Sequence, residues 1–298
     1  MNSSIPALEL HELQKHFGRG KGLVKAVEKV SFTLPQGEIF GFLGPNGAGK
    51  TTTIRCIMDF IRPTSGLIKI FGKDAQKDAV DLKRYVGYLS GNVRLHKHWT
   101  GQEHIDYFSK INDGAEGADH LIERLDFNAK LKTKQLSSGN RQKLGIILAL
   151  MHNPALIILD EPTNALDPLL QQVTYQLLEE ARDRGATVFM SSHNLAEVEQ
   201  ICNSVAIIKN GELVATESIL SLKQKHLYTV KAQFDRTLGN EDLKMDNVTI
   251  VLLDNKHVTL NVKGDIVPVL KKLSQLPLND IEVHHASLEE IFLEYYQS

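Results

Sequence analysis

The stretch from Gly44 to Thr52, Gly-Pro-Asn-Gly-Ala-Gly-Lys-Thr-Thr, constrains this chain more than any other. It satisfies G-x-x-x-x-G-K-[ST], a pattern that folds as a phosphate loop when a strand runs into it and a helix leaves it. Both are predicted here. Ile39-Phe40-Gly41-Phe42-Leu43 is an apolar run of strand length, and Thr52 to Ile61 reads as a helix. The glycines let backbone N–H groups turn toward an anion with no Cβ in the way. The helix N-terminus adds the positive end of its dipole. In such a loop Gly44, Pro45, Asn46, Gly47, Ala48 and Gly49 form the cradle, with Thr52 opening the helix. Lys50 bridges the β- and γ-phosphates, and Thr51 ligates Mg²⁺. An ordinary Gly-rich turn is the competing reading, and the flanking strand and helix count against it.

A second apolar strand, Leu156-Ile157-Ile158-Leu159, ends in Asp160-Glu161. Alone, this would be a buried strand closed by two solvated carboxylates. Beside a phosphate loop it reads as a Walker B element, with Asp160 on Mg²⁺ through water and Glu161 polarising the attacking water.

The rest of the chain is organised to suit a covered parallel sheet. Residues 7–43 are β-rich, with Val30-Ser31-Phe32-Thr33-Leu34 alternating as a half-buried strand does and Pro35-Gln36-Gly37-Glu38 as a turn. Strands are predicted at Leu67 to Phe71 and Tyr85 to Leu89. From Gly101 to Lys134 the apolar period becomes helical, through Ile105, Phe108, Ile111, Leu121, Ile122, Leu125 and Phe127. Strand and helix then alternate from Ala155 to Ile208, which argues for helices on both faces of a parallel sheet. The composition turns polar between Ser218 and His226. The expected division is an α/β domain over residues 1–226, with a helical subdomain at about 92–152, and a small α+β domain over 227–298. In the latter, strands are expected at Tyr228 to Phe234, Val248 to Leu253, Val258 to Val262 and Ile281 to His284, with helices at Asp265 to Leu276 and Ser287 to Tyr296.

Composition bounds the function. The chain has 298 residues, 42% hydrophobic and 23% charged, enough apolar mass for a real core. A formal net charge of −2 offers no electrostatic footprint for nucleic acid. No apolar run is long enough to span a bilayer, and the N-terminus lacks the layout of a signal peptide. Cys56 and Cys202 lie in apolar surroundings and are expected to be buried, reduced thiols. These features point to the cytoplasm.

Three further motifs complete the pattern. Leu136-Ser137-Ser138-Gly139-Asn140 precedes the Walker B strand, Asn164-Ala165-Leu166-Asp167-Pro168 follows it, and Ser191-Ser192-His193-Asn194 closes the next strand. In this order they resemble the signature, D-loop and switch histidine of an ATP-binding-cassette (ABC) transporter subunit. The resemblance covers roughly residues 7–225. The tail, ending Ser287-Leu288-Glu289-Glu290-Ile291-Phe292, resembles the extension found in a bacterial drug-, antibiotic- and peptide-exporter branch.

The resemblance implies a P-loop cassette with an N-terminal antiparallel part, a parallel core sheet and a helical subdomain. It implies that Phe17 stacks on adenine, that Glu161 is the general base and that His193 contacts the γ-phosphate. Ser137, Ser138, Gly139 and Asn140 would face ATP held by a second cassette, and Asp167 would link the two sites. ATP and Mg²⁺ are the implied cofactors. The implied partners are that second cassette, identical or not, and a separate transmembrane permease that holds the subunit on the cytoplasmic face of the membrane. Two alternatives stay open: a poorly hydrolysing regulatory cassette, and a soluble ABC ATPase without a transport role. Two departures bear on them. The signature has Ser138 and Asn140 where the family usually has Gly and Gln, and the Q-loop glutamine falls on Gly91. Trp99, the only tryptophan, is read either as an anchor for the permease or as packing for its own subdomain. His96 and His98 are expected to be solvated.

Overall fold

The computed structural model describes residues 5–285 except 113, 225–226, 246 and 255. The expected helix Ser287 to Tyr296, with Ile291, Phe292 and Tyr295, lies outside the described residues.

The chain divides into two compact units between Thr216 and Glu217. The first opens with β1 (Leu8–Phe17), β2 (Val24–Leu34) and the strand predicted before the phosphate loop, β3 (Ile39–Leu43). Helix α1 (Lys50–Ile57) leaves that loop, followed by β4 (Ser65–Ile70), β5 (Lys73–Asp74), α2 (Ala79–Lys83) and β6 (Val86–Leu89). The helical stretch contains α3 (Gly101–Ile111), α4 (Ala118–Arg124) and α5 (Ser138–Leu150). Alternation resumes with β7 (Leu156–Asp160), α6 (Pro168–Asp183), β8 (Thr187–Ser192), α7 (Leu195–Ile201), β9 (Ser204–Lys209) and β10 (Glu212–Ser218).

Two sheets result. Strands β2-β1-β4-β5 form an antiparallel sheet, and β10-β9-β3-β8-β7-β6 form a six-stranded one. In the second, β9, β3, β8, β7 and β6 run parallel, as strands buried on both faces predict. The sheets meet at a cluster of rings. Phe32 of β2 stacks on Phe40 of β3 at 5.3 Å between centroids and on Phe189 of β8 at 5.7 Å. Offset aromatic contacts of this kind add about 0.5–1.5 kcal/mol each beyond the area they bury. The phosphate loop thus leaves a strand whose rings tie the two sheets together.

Helix α1 ends four residues before the predicted Ile61. Asp59 takes a left-handed φ of 53°, while the Phe60 N–H closes back on the Arg55 carbonyl and the Asp59 N–H on Cys56. This is a Schellman end built on Asp instead of Gly. Helix α3 begins with a capping box. The Thr100 hydroxyl accepts from the Glu103 N–H at 3.1 Å, and the Glu103 carboxylate accepts from the Thr100 N–H at 2.6 Å.

The second unit contains α8 (Ile219–Gln224), β11 (Leu227–Phe234), β12 (Val248–Asp254), β13 (His257–Lys263), α9 (Val267–Leu273) and β14 (Leu278–His285). Its antiparallel sheet has the order β12-β13-β11-β14. Phe234, Leu260 and Leu273 are fully buried in its core. Sequence composition set the division after residue 226; the structural division falls earlier because the polar stretch folds as α8. Both cysteines are free and buried. Burial pushes the Cys56 thiol up to about 11 and raises Cys202 as well, so neither is a reactive thiolate. Among the described residues no helix is long and apolar enough to cross a membrane.

Candidate functional site

The ends of β3, β7 and β8 bring three loops to one edge of the parallel sheet, where ligands bind in open α/β folds. The loop after β3 wraps the start of α1. Gly49 has φ 112°, and a Cβ there would lie 2.5 Å from the Ala26 carbonyl, so only glycine fits. A cleft of about 150 Å³ is lined by Ala26, Asn46, Gly47, Gly49, Lys50, Thr51, Thr52 and Glu161. Its size suits a phosphate chain and not a whole nucleotide.

Lys50 is 5% exposed, and its ammonium donates to the Gly44 carbonyl at 2.6 Å and the Pro45 carbonyl at 3.2 Å. It also lies 3.2 Å from Glu161 Oε1. The Thr51 hydroxyl donates to Asp160 Oδ2 at 2.9 Å, and the Ser191 hydroxyl to Asp160 Oδ1 at 2.7 Å. Asp160 is buried, so these donors offset the cost of taking its charge from water. Thr51 and Asp160 together form a compact pair of hard oxygen donors. That set fits Mg²⁺, which takes one or two protein oxygens beside substrate phosphates. Among the described residues no group of three or more His, Cys, Asp or Glu could hold a metal unaided.

Glu161 follows β7 in a left-handed conformation, φ 51°, with its N–H bonded to both the carbonyl and the hydroxyl of Ser191. Such a conformation costs of order 1 kcal/mol or more for a non-glycine residue. Here it turns the side chain from the strand into the cleft. Glu161 Oε2 accepts from the Asn164 amide at 2.7 Å and lies 2.8 Å from His193 Nδ1. Burial pushes its carboxyl up, but Asn164, Lys50 and His193 together outweigh burial and hold it below the usual carboxylate range. With Glu161 ionised, the contact to His193 requires the imidazole proton on Nδ1.

Lys50, Thr51, Asp160, Glu161 and His193 therefore converge, as the sequence motifs suggest. The remaining predicted residues lie elsewhere on the molecule. Phe17 is 42% exposed and is not core filler; the Lys15 ammonium sits 4.9 Å from its ring centroid. Ser137, Ser138, Gly139 and Asn140 do not line the phosphate cleft of their own chain. The Ser137 hydroxyl caps α5 by accepting from the Asn140 N–H at 3.1 Å, which starts that helix at Ser138. A Cβ on Gly139 would lie 2.8 Å from the Ala165 carbonyl, so the signature abuts the D-loop. Asp167 is exposed and caps α6, accepting from the Leu170 N–H at 3.0 Å with Pro168 in the first helical turn. That local bond alone accounts for an acid at this position.

At Gly91 the backbone is where the missing glutamine would be useful. A Cβ built there falls 3.1 Å from Asp160 Oδ2. Trp99 is half-buried and packs on His96, His104 and Tyr107 of its own subdomain, with its carbonyl accepting from Thr133. His96 and His98 are exposed. Sequence reasoning missed Ser191, Asn164 and Gln142. The Gln142 amide reaches from α5 to the carbonyls of Glu161 and Pro162, at 3.4 and 2.8 Å. Asn164 and Ser191 lie inside motifs read for other residues, whereas Gln142 acts between distant segments and no local pattern marks it.

Comparison with known proteins gives the following likenesses. A sequence model of the ABC transporter family matches residues 27–164. An uncharacterized ABC transporter ATP-binding protein, YhcH of Bacillus subtilis (strain 168), is 32% identical over 295 residues, covering 96% of this chain and 95% of the relative. The bacitracin transport ATP-binding protein BcrA of Bacillus licheniformis is 38% identical over 210 residues, 69% of each chain. A solved ATP-binding subunit of an ABC transporter superposes with a TM-score of 0.68 at 27% identity, over 73% of this chain and 92% of that one.

Proposed function

Because the chain belongs to the ABC transporter ATP-binding protein family, we propose that it hydrolyses ATP as one of two cassettes that drive a separate membrane permease. The carrying observation is the chain of contacts Lys50–Glu161–His193 beside the Thr51–Asp160 pair, all at one cleft. On this reading Lys50 exchanges Glu161 for the β- and γ-phosphates, and the loop N–H groups hold the remaining oxygens. Thr51 and Asp160 would hold Mg²⁺, which would supply positive charge against the phosphates. Glu161 loses its ammonium partner and gains a nearby phosphate, both of which raise its proton affinity. It then accepts a proton from the attacking water, while its other oxygen orients the His193 ring through Nδ1.

The signature supports a dimer reading. Its residues sit away from their own cleft, and the N-terminus of α5 offers N–H donors to an anion brought by another cassette. Closing two cassettes head-to-tail completes both sites, and hydrolysis reopens them. For the permease, a groove of about 330 Å³ lies between the core and the helical subdomain, lined by Phe60, Tyr88, Arg94, Phe108, Leu148 and His152 among others. This concave apolar surface, rather than Trp99, is our proposed docking face. We take the direction to be export, on the likeness of the tail to the exporter branch, and the working location to be the cytoplasmic face of the membrane.

The test is Mg²⁺-dependent ATP turnover by the purified full chain, followed by co-purification from membranes with identification of the bound partner. Turnover with a multi-span membrane protein attached is the expected result. Absence of turnover both alone and with that partner overturns the ATPase assignment, and capture of no membrane protein overturns the transport one.

A further inference from the structure

Among the described residues two acids are buried, Asp160 at 2% and Glu197 at 3% exposure. Asp160 has its place at the metal position. Glu197, on α7, has none in the scheme above. Its surroundings are specific nonetheless. The Ser192 hydroxyl donates to Glu197 Oε2, and the Thr163 hydroxyl donates to Oε1 at 2.8 Å. Glu197 thus takes hydroxyl donors from two separate segments.

The segments are those that carry the chemistry. Ser192 adjoins His193, and its hydroxyl also accepts from the Asn194 N–H at 2.9 Å, which sets the turn presenting the imidazole. Thr163 adjoins Asn164, whose amide holds Glu161 Oε2. The contact between Glu161 and His193 spans two loops that the Glu161 N–H also joins, through the carbonyl and hydroxyl of Ser191. Below it, Glu197 fastens the same two loops together from the buried side.

We propose that Glu197 is a positioning residue for hydrolysis, holding Glu161 and His193 in register by tying the loop after β7 to the loop after β8. This rests on the ATPase reading. Glu197 is buried and does not line the phosphate cleft, so on this proposal it acts on turnover and not on nucleotide affinity. Glutamine can preserve the geometry. Its carbonyl can accept from Thr163, and its amide can donate to Ser192 Oγ, whose own proton can turn to the Asn194 carbonyl 3.3 Å away. Alanine removes both bonds and leaves the Ser192 and Thr163 hydroxyls without this acceptor.

The experiment compares wild type, Glu197→Ala, Glu197→Gln and Thr163→Val as full-length proteins. We measure kcat, equilibrium ATP affinity and hydrogen exchange. Glu197→Ala is expected to lose at least about tenfold in kcat with ATP affinity within about threefold, and Glu197→Gln to recover most of that loss. Should Glu197→Ala fail to fold, Thr163→Val removes one of the ties, and a threefold or larger fall in kcat at unchanged affinity is expected of it. Exchange is expected to quicken in peptides covering 161–164 and 191–195 and not in 44–52. A wild-type kcat in both Glu197→Ala and Thr163→Val overturns the proposal, as does Glu197→Gln as impaired as alanine, which would make charge the operative property. If wild type itself shows no turnover, the ATPase reading fails separately. Exchange at the two loops then decides this assignment alone, and unchanged exchange in Glu197→Ala refutes it.

Discussion

Replacing Glu161 by glutamine separates two roles that one carboxylate holds in this cleft. As the base it faces the attacking water; as an anion it pairs with Lys50 at 3.2 Å when no phosphate is present. The first role predicts a loss of about 10²–10⁴ in kcat, the usual contribution of a positioned general base, or roughly 3–5 kcal/mol of barrier. The second predicts the opposite sign for binding. ATP must displace Glu161 from Lys50, and both side chains are mostly buried, at 15% and 5% exposure. The pair opens on the cleft and Lys50 keeps two carbonyl acceptors, so we assign it only about 1 kcal/mol, near the top for a partly solvated ion pair. Removing that competition tightens ATP binding by up to roughly fivefold. The Thr51–Asp160 pair is untouched, so Mg²⁺ dependence is retained. The assay is steady-state turnover beside calorimetric ATP binding, with size-exclusion chromatography to detect an ATP-held dimer. Turnover within about threefold of wild type refutes Glu161 as base. Affinity weakened tenfold refutes the exchange of Lys50 between Glu161 and phosphate.

Other perturbations test separate parts of the site. Phe17→Ala is expected to weaken ATP about fivefold, the ~1 kcal/mol of an aromatic stack, and to leave inorganic triphosphate unaffected; equal losses for both ligands exclude stacking. Gly91→Ala places a Cβ 3.1 Å from Asp160 Oδ2, so a higher Mg²⁺ requirement is expected, with saturated turnover within about tenfold; an unchanged Mg²⁺ titration refutes this. Burial pushes the Glu197 carboxyl above the ordinary 4.5, and the Ser192 and Thr163 donors only partly offset it. The folded chain therefore holds this proton to higher pH than the unfolded chain, and wild type loses stability as pH rises from about 4.5 through the folded-state value. Glu197→Gln does not titrate, while the facing groups Tyr175, Cys202, Glu161 and His193 are common to both proteins. The Tm of the variant minus that of wild type is expected to widen over that range and then level; a flat or narrowing difference contradicts the shift.

What the sequence made legible, and what it hid, follow from the range of the forces involved. The strand before the phosphate loop could be read because Ile39 to Leu43 is apolar at every position, and a strand covered on both faces needs nothing else. The two acids after β7 could be read because strand ends in such sheets face the ligand edge. The end of α1 could not, since a Schellman turn on Asp59 replaces the glycine that normally announces it. Glu161 offered no local sign of its left-handed backbone, which exists only because Ser191 holds its N–H from the neighbouring strand. Glu197 is the sharpest case. On α7 it stands between Ala196 and the fully buried Val198, and nothing in that short run separates a buried acid from a surface one. It is buried where Ser192 and Thr163, from different segments, meet one carboxyl, and only the assembled parallel sheet brings them there. Local motifs therefore mark the residues gathered at the cleft, because strand ends and short loops encode them in runs of sequence. The groups that hold those residues in place are specified by tertiary pairing, and on our proposal a substitution there acts on turnover.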